Sequence, residues 1–246
     1  MRLLIDLGNT RLKWAWCDHE LWQTGAADVT GSNFDQILDE LAGSREIPED
    51  ITLASVAEEE ATAVLKTALR ARWPAPIIWV QSRQQQLGVV NHYRNPAQLG
   101  ADRWAALIAA RQEVAQSVCV ISCGTAVTVD ALNAAGEFVG GVILPGLVLM
   151  RRSLADGTAA IAVSDGNDTS CQARSTEDAV MSGTRFGLAG AVDRIVAEHR
   201  LILGDDMVCL ITGGSAESIL PLLGFSATHK PDLVLLGLKA IAEAGA

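Results

Sequence analysis

The chain has 246 residues, 49% of them hydrophobic and 20% charged, with a formal net charge of -10. That length and apolar content suffice for one large domain or two small ones with a real core. The negative charge, with no basic run to offset it, excludes nucleic acid and anionic membrane surfaces as partners, so any anionic substrate must meet positive charge held locally.

Residues 2 to 6 read as a strand that ends in Ile5-Asp6-Leu7-Gly8-Asn9-Thr10. An acid, a glycine and two small polar side chains at a strand end make a turn that can hold a phosphate. Gly8 permits close approach, Asn9 and Thr10 offer donors, and Asp6 can hold Mg2+ or its waters. Residues 11 to 17 alternate and predict a second strand, so the turn is a hairpin. With no helix directly after it, the P-loop and the dinucleotide-binding fingerprint are both excluded.

Further strands are predicted at 51 to 56 and 77 to 80, with helices over 34 to 42 and 61 to 73; Pro74 and Pro76 stop the second helix. Residues 81 to 100 are polar, with turn signals at Asn91 and Asn95-Pro96, and form an exposed excursion of a length that tends to carry function. Gly100-Ala101-Asp102-Arg103 opens a helix that runs to about Gln116 and buries Trp104, Leu107, Ile108 and Val114. Asp is a favoured residue at a helix start in its own right. A guanidinium in the first turn opposes the helix dipole, so Arg103 is expected to anchor a carboxylate or phosphate.

Residues 118 to 130, Val-Cys-Val-Ile-Ser-Cys-Gly-Thr-Ala-Val-Thr-Val-Asp, repeat the opening layout of strand, turn and alternating strand. Aligning Gly8 with Gly124 sets Asp6 against Ser122, at an offset a little under half the chain. Two similar halves follow, 1–116 and 117–246, each beginning with a phosphate-facing hairpin and enclosing a cleft. A strand over 138 to 144 closes at Pro145-Gly146, and residues 157 to 174 read as a mobile loop. Ser175 caps a helix with Asp178 that runs to about His199, with a break near 187 to 190. A strand over 208 to 211 leads into Thr212-Gly213-Gly214-Ser215, which either lies flat against a nucleotide or is a tight turn. Helices over 216 to 223 and from Pro231-Asp232 to Ala244 complete the chain. Trp14, Trp79 and Trp104 read as packing residues.

Five cysteines, an odd number without a Cys-x-x-Cys pair, fit reduced buried thiols. The four histidines (His19, His92, His199, His229) are too scattered for a metal site. The longest apolar run, 138 to 150, holds three glycines and a proline and is too short for a membrane span. The amino terminus has no signal-peptide layout, so a cytosolic protein is expected.

Taken together, Asp6-Leu7-Gly8-Asn9-Thr10, Tyr93-x-x-Pro96 leading to Gly100-Ala101-Asp102-Arg103, Gly124-Thr125-Ala126 with Thr128 and Asp130, Gly140-Gly141 with Pro145-Gly146, Thr176 and Thr212-Gly213-Gly214 resemble the type III pantothenate kinases. The match runs in order from residue 1 to about 240. It implies an α/β fold of two duplicated ribonuclease-H-like halves, each a mixed sheet flanked by helices, in the superfamily of sugar kinases, Hsp70 and actin. It also implies ATP-dependent phosphorylation of pantothenate, the first step of coenzyme A biosynthesis.

Carried over residue by residue, the resemblance puts Asp6, Leu7, Gly8, Asn9, Thr10, Arg11, Leu12 and Lys13 on the ATP phosphates, with Asp6 near Mg2+. Thr125, and Gly213 and Gly214, make further nucleotide contacts. Tyr93, Gly100, Ala101, Asp102, Arg103 and Thr176 line the pantothenate site, with Asp102 as general base. Family members are homodimers with that site at the interface. They usually carry Asp where this chain has Ser122, and that Asp helps hold K+ or NH4+; a neutral hydroxyl weakens such a cation site. Two other readings remain open: a related kinase for a sugar or short acid, and a regulatory protein like the Bvg accessory factor.

Overall fold

The computed structural model describes residues 1–29, 34–43, 47–159, 161 and 170–245. They form two compact units, Met1–Gln112 with Asp232–Ala246, and Glu113–Pro231.

The first unit opens with β1 (Arg2–Leu7), β2 (Arg11–Cys17) and β3 (Trp22–Asp28), then α1 (Phe34–Ala42), β4 (Ile51–Ser55), α2 (Glu59–Arg72) and β5 (Ile77–Trp79). Its sheet runs β3-β2-β1-β4-β5, antiparallel across the hairpins and parallel where a helix makes the crossover. Leu3, Ile5, Leu7, Leu12, Trp16, Leu38, Leu53 and Leu65 build one apolar core. Trp16 is fixed there twice, by its indole N–H to the Leu41 carbonyl at 2.9 Å and by an edge-on contact with Trp73 at 5.9 Å. β3 is an exposed edge strand that the sequence did not reveal.

The polar excursion is more ordered than its composition suggests. It holds a short hairpin of β6 (Gln85–Gln86) and β7 (Val89–Asn91), turned by Leu87 and Gly88 with φ of 49° and 81°, and a 3-10 turn at Pro96–Gln98. α3 (Ala101–Glu113) then begins.

The second unit contains β8 (Val118–Cys123), β9 (Ala126–Leu132), β10 (Glu137–Pro145), α4 (Leu147–Gly157), α5 (Thr176–Leu203), β11 (Val208–Thr212), α6 (Ala216–Ile219) and β12 (Thr228–His229). These strands repeat the first sheet in order and sense, as β10-β9-β8-β11-β12. The duplication expected from two hairpins therefore extends to five strands in each unit. α4 was not anticipated, and the break expected in α5 near 187 to 190 is absent: the helix is continuous. Half of the loop read at 157 to 174, residues 160 and 162 to 169, lies outside the described residues. Ser175 caps α5 as expected, its Oγ accepting the Asp178 N–H at 3.1 Å. Of the five cysteines, Cys171 is exposed and the other four are buried, which corrects the expectation that all are buried.

α7 (Leu233–Glu243) belongs to the first unit, not the second, because its apolar face packs on β1 and β4. Its Gly237 lies so close to the Ala105 carbonyl of α3 that a side chain there would displace one of the two helices.

Candidate active site

The first hairpin turns at Gly8, whose N–H donates to the Arg11 carbonyl at 2.9 Å. That amide is therefore committed to the turn. Asn9, Thr10 and Arg11 are exposed beyond it, whereas Leu7 and Leu12 are core residues with no exposure. Of the eight residues assigned to phosphate, Leu7, Gly8 and Leu12 can offer only backbone atoms.

Asp6, near the end of β1, pairs in register with Lys13 of β2. Burial, and after it the charge of Asp102, push the Asp6 carboxyl from 3.8 up to about 7; Lys13 pulls in the opposite direction. A desolvated carboxylate with a second acid close by is only partly neutralised by Lys13. Hard anionic oxygens in that state suit a divalent cation carried in with a polyphosphate, and so the donor set fits Mg2+.

Asp102 sits in the first turn of α3, half-buried, with Oδ1 accepting the N–H of Arg103 at 2.7 Å. A Cβ on Gly100 would come within 2.6 Å of that oxygen, so glycine at this place leaves room for the carboxylate. Arg103 is only 6% exposed, and its Nη1 donates to the Tyr93 hydroxyl at 3.0 Å. The guanidinium carbon lies 5.7 Å from the Tyr93 ring centre. The first unit thus gathers Asp6, Lys13, Gly100, Asp102, Arg103 and Tyr93, two acids beside a pre-positioned arginine. The approach of Asp6 and Lys13 to the others comes from the fold, since the first hairpin is far in sequence from the excursion and the α3 it leads into.

The second unit supplies a parallel but weaker set. Gly124 and Thr125 form the exposed turn of its hairpin, with the Gly124 N–H on the Ala126 carbonyl at 3.0 Å. Gly213 has φ of 97° and lies against the Cys123 backbone, so the glycine is required by the chain's own packing whatever it binds. Gly214 beside it is exposed. Thr176 is the exposed first residue of α5. Cys123 is no nucleophile, because burial pushes its thiol up to about 12. Ser122 stands in register with Thr128 on β9 and Thr212 on β11, a row of neutral hydroxyls, and the Thr128 Oγ1 is buried with no hydrogen-bond partner among the described residues.

Sequence reasoning missed Ser82 and Asn91, both buried beneath the Tyr93 segment. Asn91 reads from sequence only as a turn residue, and nothing local marks Ser82.

A five-strand arrangement repeated in both units, with a Gly-turn hairpin opening each copy, defines the fold class of the actin-like ATPases and sugar kinases. A solved structure described as a 2-dehydro-3-deoxygalactonokinase from Sinorhizobium meliloti matches with a TM-score of 0.61 at 15% identity, covering 99% of each chain. A Campylobacter jejuni protein described as a Baf family transcriptional activator matches with a TM-score of 0.63 at 20% identity, over 99% of this chain and 98% of its own. At the level of sequence, the profile of the type III pantothenate kinases matches residues 2–198. A type III pantothenate kinase of Thiobacillus denitrificans is 43% identical over 99% of this chain and 97% of its own. The chain belongs to the type III pantothenate kinase family.

Among the described residues, no helix is long and apolar enough to cross a membrane, and no group of three or more His, Cys, Asp or Glu could hold a metal ion alone.

Proposed function

We propose that the protein transfers the γ-phosphoryl group of ATP to the primary hydroxyl of pantothenate, giving 4′-phosphopantothenate, the first step of coenzyme A biosynthesis. The observation that carries this reading is the Asp6–Asp102 pair beside a buried Arg103, in a chain 43% identical to a pantothenate kinase. Phosphoryl transfer asks for alignment and charge neutralisation rather than covalent catalysis, and these residues supply both.

Asp102 takes the proton from the attacking hydroxyl. Asp6 is the residue that would hold Mg2+, which supplies charge neutralisation across the transferring phosphate. Asn9, Thr10, Arg11 and Lys13 face the phosphates from the first hairpin, and Thr125 with Gly213 and Gly214 contacts the nucleotide. Arg103, held by Tyr93, binds the substrate carboxylate or the neighbouring carbonyl. An ATP-dependent assay with pantothenate, run beside a panel of sugars and short acids, tests the substrate; turnover of another member of the panel in preference to pantothenate overturns it. Presence of both carboxylates favours catalysis over a purely regulatory role like that of the Bvg accessory factor.

A homodimer is part of the same reading. In the second unit Val142 and Ile143 of β10, Val148 and Leu149 of α4 and Phe186 of α5 are exposed, with Ile143 at 62%. An apolar surface of this kind supports burial against a second copy, and Thr176 would then serve the partner's substrate site. A cytoplasmic location is proposed as well, because ATP is the phosphoryl donor.

Two expectations follow for this site. Arg103→Ala raises the KM for pantothenate with little change in that for ATP, because the guanidinium belongs to the acceptor side; steady-state kinetics with each substrate varied decides. An unchanged pantothenate KM with ATP binding lost would put Arg103 on the other ligand. Activity is also expected to be nearly equal in Na+, K+ and NH4+ buffers at matched ionic strength, since Ser122, Thr128 and Thr212 offer neutral oxygens only. Ser122→Asp restores an anionic ligand and should create K+ dependence. Strong K+ activation of the unmodified protein would show that neutral oxygens suffice.

A further inference from the structure

The segment that carries Tyr93 has almost no secondary structure of its own, yet its hydroxyl meets a buried guanidinium at 3.0 Å. Something must fix its backbone. Asn91, the last residue of β7, has no exposure, and its amide is used at both ends. Oδ1 accepts the Tyr93 N–H at 3.0 Å, and Nδ2 donates to the Pro96 carbonyl at 3.2 Å. The Asn91 backbone is pinned in turn, its N–H on the Gln84 carbonyl at 2.9 Å and its carbonyl on the Gln84 side-chain amide at 2.9 Å.

The far side of this joint leads to Asp102. The Pro96 carbonyl also accepts from Ser82 Oγ at 2.7 Å, and that hydroxyl lies 2.7 Å from the Leu99 carbonyl as well. Leu99 is followed by Gly100, whose carbonyl accepts the first helical bond of α3 from Trp104 at 2.9 Å. One buried amide therefore spans the Tyr93 arm and the turn that delivers Asp102 and Arg103. No apolar side chain can donate and accept at once, and a hydroxyl is too short to reach both partners.

We propose that Asn91 is a positioning residue for the acceptor substrate: it sets the place of Tyr93, and through Tyr93 that of the Arg103 guanidinium, relative to the start of α3. The inference rests on the assignment of Arg103 and Tyr93 to pantothenate. A residue that only held the fold together would lower stability and affect both substrates alike. A positioning residue changes one KM.

The protein has a single tyrosine, so incorporation of 3-fluorotyrosine places one fluorine reporter at position 93. Asn91→Ala is expected to shift or broaden the single 19F resonance and to raise the pantothenate KM about tenfold, with the ATP KM within about twofold, as befits the loss of one or two buried hydrogen bonds. Trp16→Phe is the control, since it removes a buried hydrogen bond, that to the Leu41 carbonyl, from the core of the first sheet and leaves the bonds around Tyr93 and Pro96 in place. It should lower Tm but leave the resonance and the pantothenate KM near those of the unmodified protein. Asn91→Ser, polar but too short to span both partners, carries the same expectation as alanine and serves if Asn91→Ala does not fold. An unmoved resonance and KM in the Asn91 variants overturns the proposal, as does an equal effect from Trp16→Phe. If the unmodified protein does not phosphorylate pantothenate, the functional reading fails while the fluorine signal still decides whether Asn91 places Tyr93.

Discussion

Asp102→Asn is expected to slow turnover by about 10²-fold or more while leaving the affinities for ATP and pantothenate within several-fold, the range for losing a positioned general base. Asparagine keeps the shape of the side chain, and its Oδ1 can still accept the Arg103 N–H, so the start of α3 is preserved. What it cannot do is take a proton from the substrate hydroxyl. Single-turnover kinetics with calorimetric binding of each substrate separates the two effects, and near-normal turnover would remove Asp102 from the mechanism.

Asp6→Asn should show an opposition between stability and activity. In the folded protein Asp6 titrates near 7, against 3.8 when unperturbed. Between those values the folded chain binds more protons than the unfolded one, so this group's contribution to stability is full below about 4 and is lost as pH rises through 7. At about 1.4 kcal/mol per unit, the loss is on the order of 4 kcal/mol at pH 8 in the absence of ligand. Asparagine has no charge to desolvate and does not repel Asp102. The variant should therefore melt higher than the unmodified protein at pH 8 and lose most of that advantage at pH 4.5, while its turnover falls by about 10²-fold or more because the anionic oxygen proposed to hold Mg2+ is gone. Thermal melts of both proteins from pH 4 to 8 give the comparison. A difference in Tm that does not grow with pH would show that Asp6 is ionised at no cost.

What the sequence disclosed was local chemistry with a period. The hairpins at Gly8 and Gly124, the strand at 51 and the amphipathic helices each carry their own pattern, and the capped start of α5 is written in Ser175 and Asp178. β3 was missed because it is an exposed edge, and Trp-Gln-Thr-Gly-Ala-Ala-Asp has no buried face to create alternation. α4 was missed because its first residues continue the apolar run of β10, with only Pro145-Gly146 between them. In α5, Gly187 and Gly190 suggested a break, yet each costs only about 1 kcal/mol in a helix interior, and a capped helix of 28 residues absorbs that. At the site, residue types were legible but proximity was not. Nothing local in Asp6 tells of Asp102, and the value of Asn91 depends on a carbonyl five residues away that folds back onto it.

The position of α7 bears on how the protein is made. Glu113–Pro231 is one uninterrupted stretch, so the second unit has all its strands and helices as soon as that stretch leaves the ribosome. The first unit, although synthesised earlier, still lacks the helix that covers β1 and β4. Its sheet must wait with an apolar face open while the other unit closes, which reverses the usual amino-to-carboxyl order of domain completion. β1, the strand that carries Asp6, thus receives the helix that packs on it only after the whole of the second unit has been made.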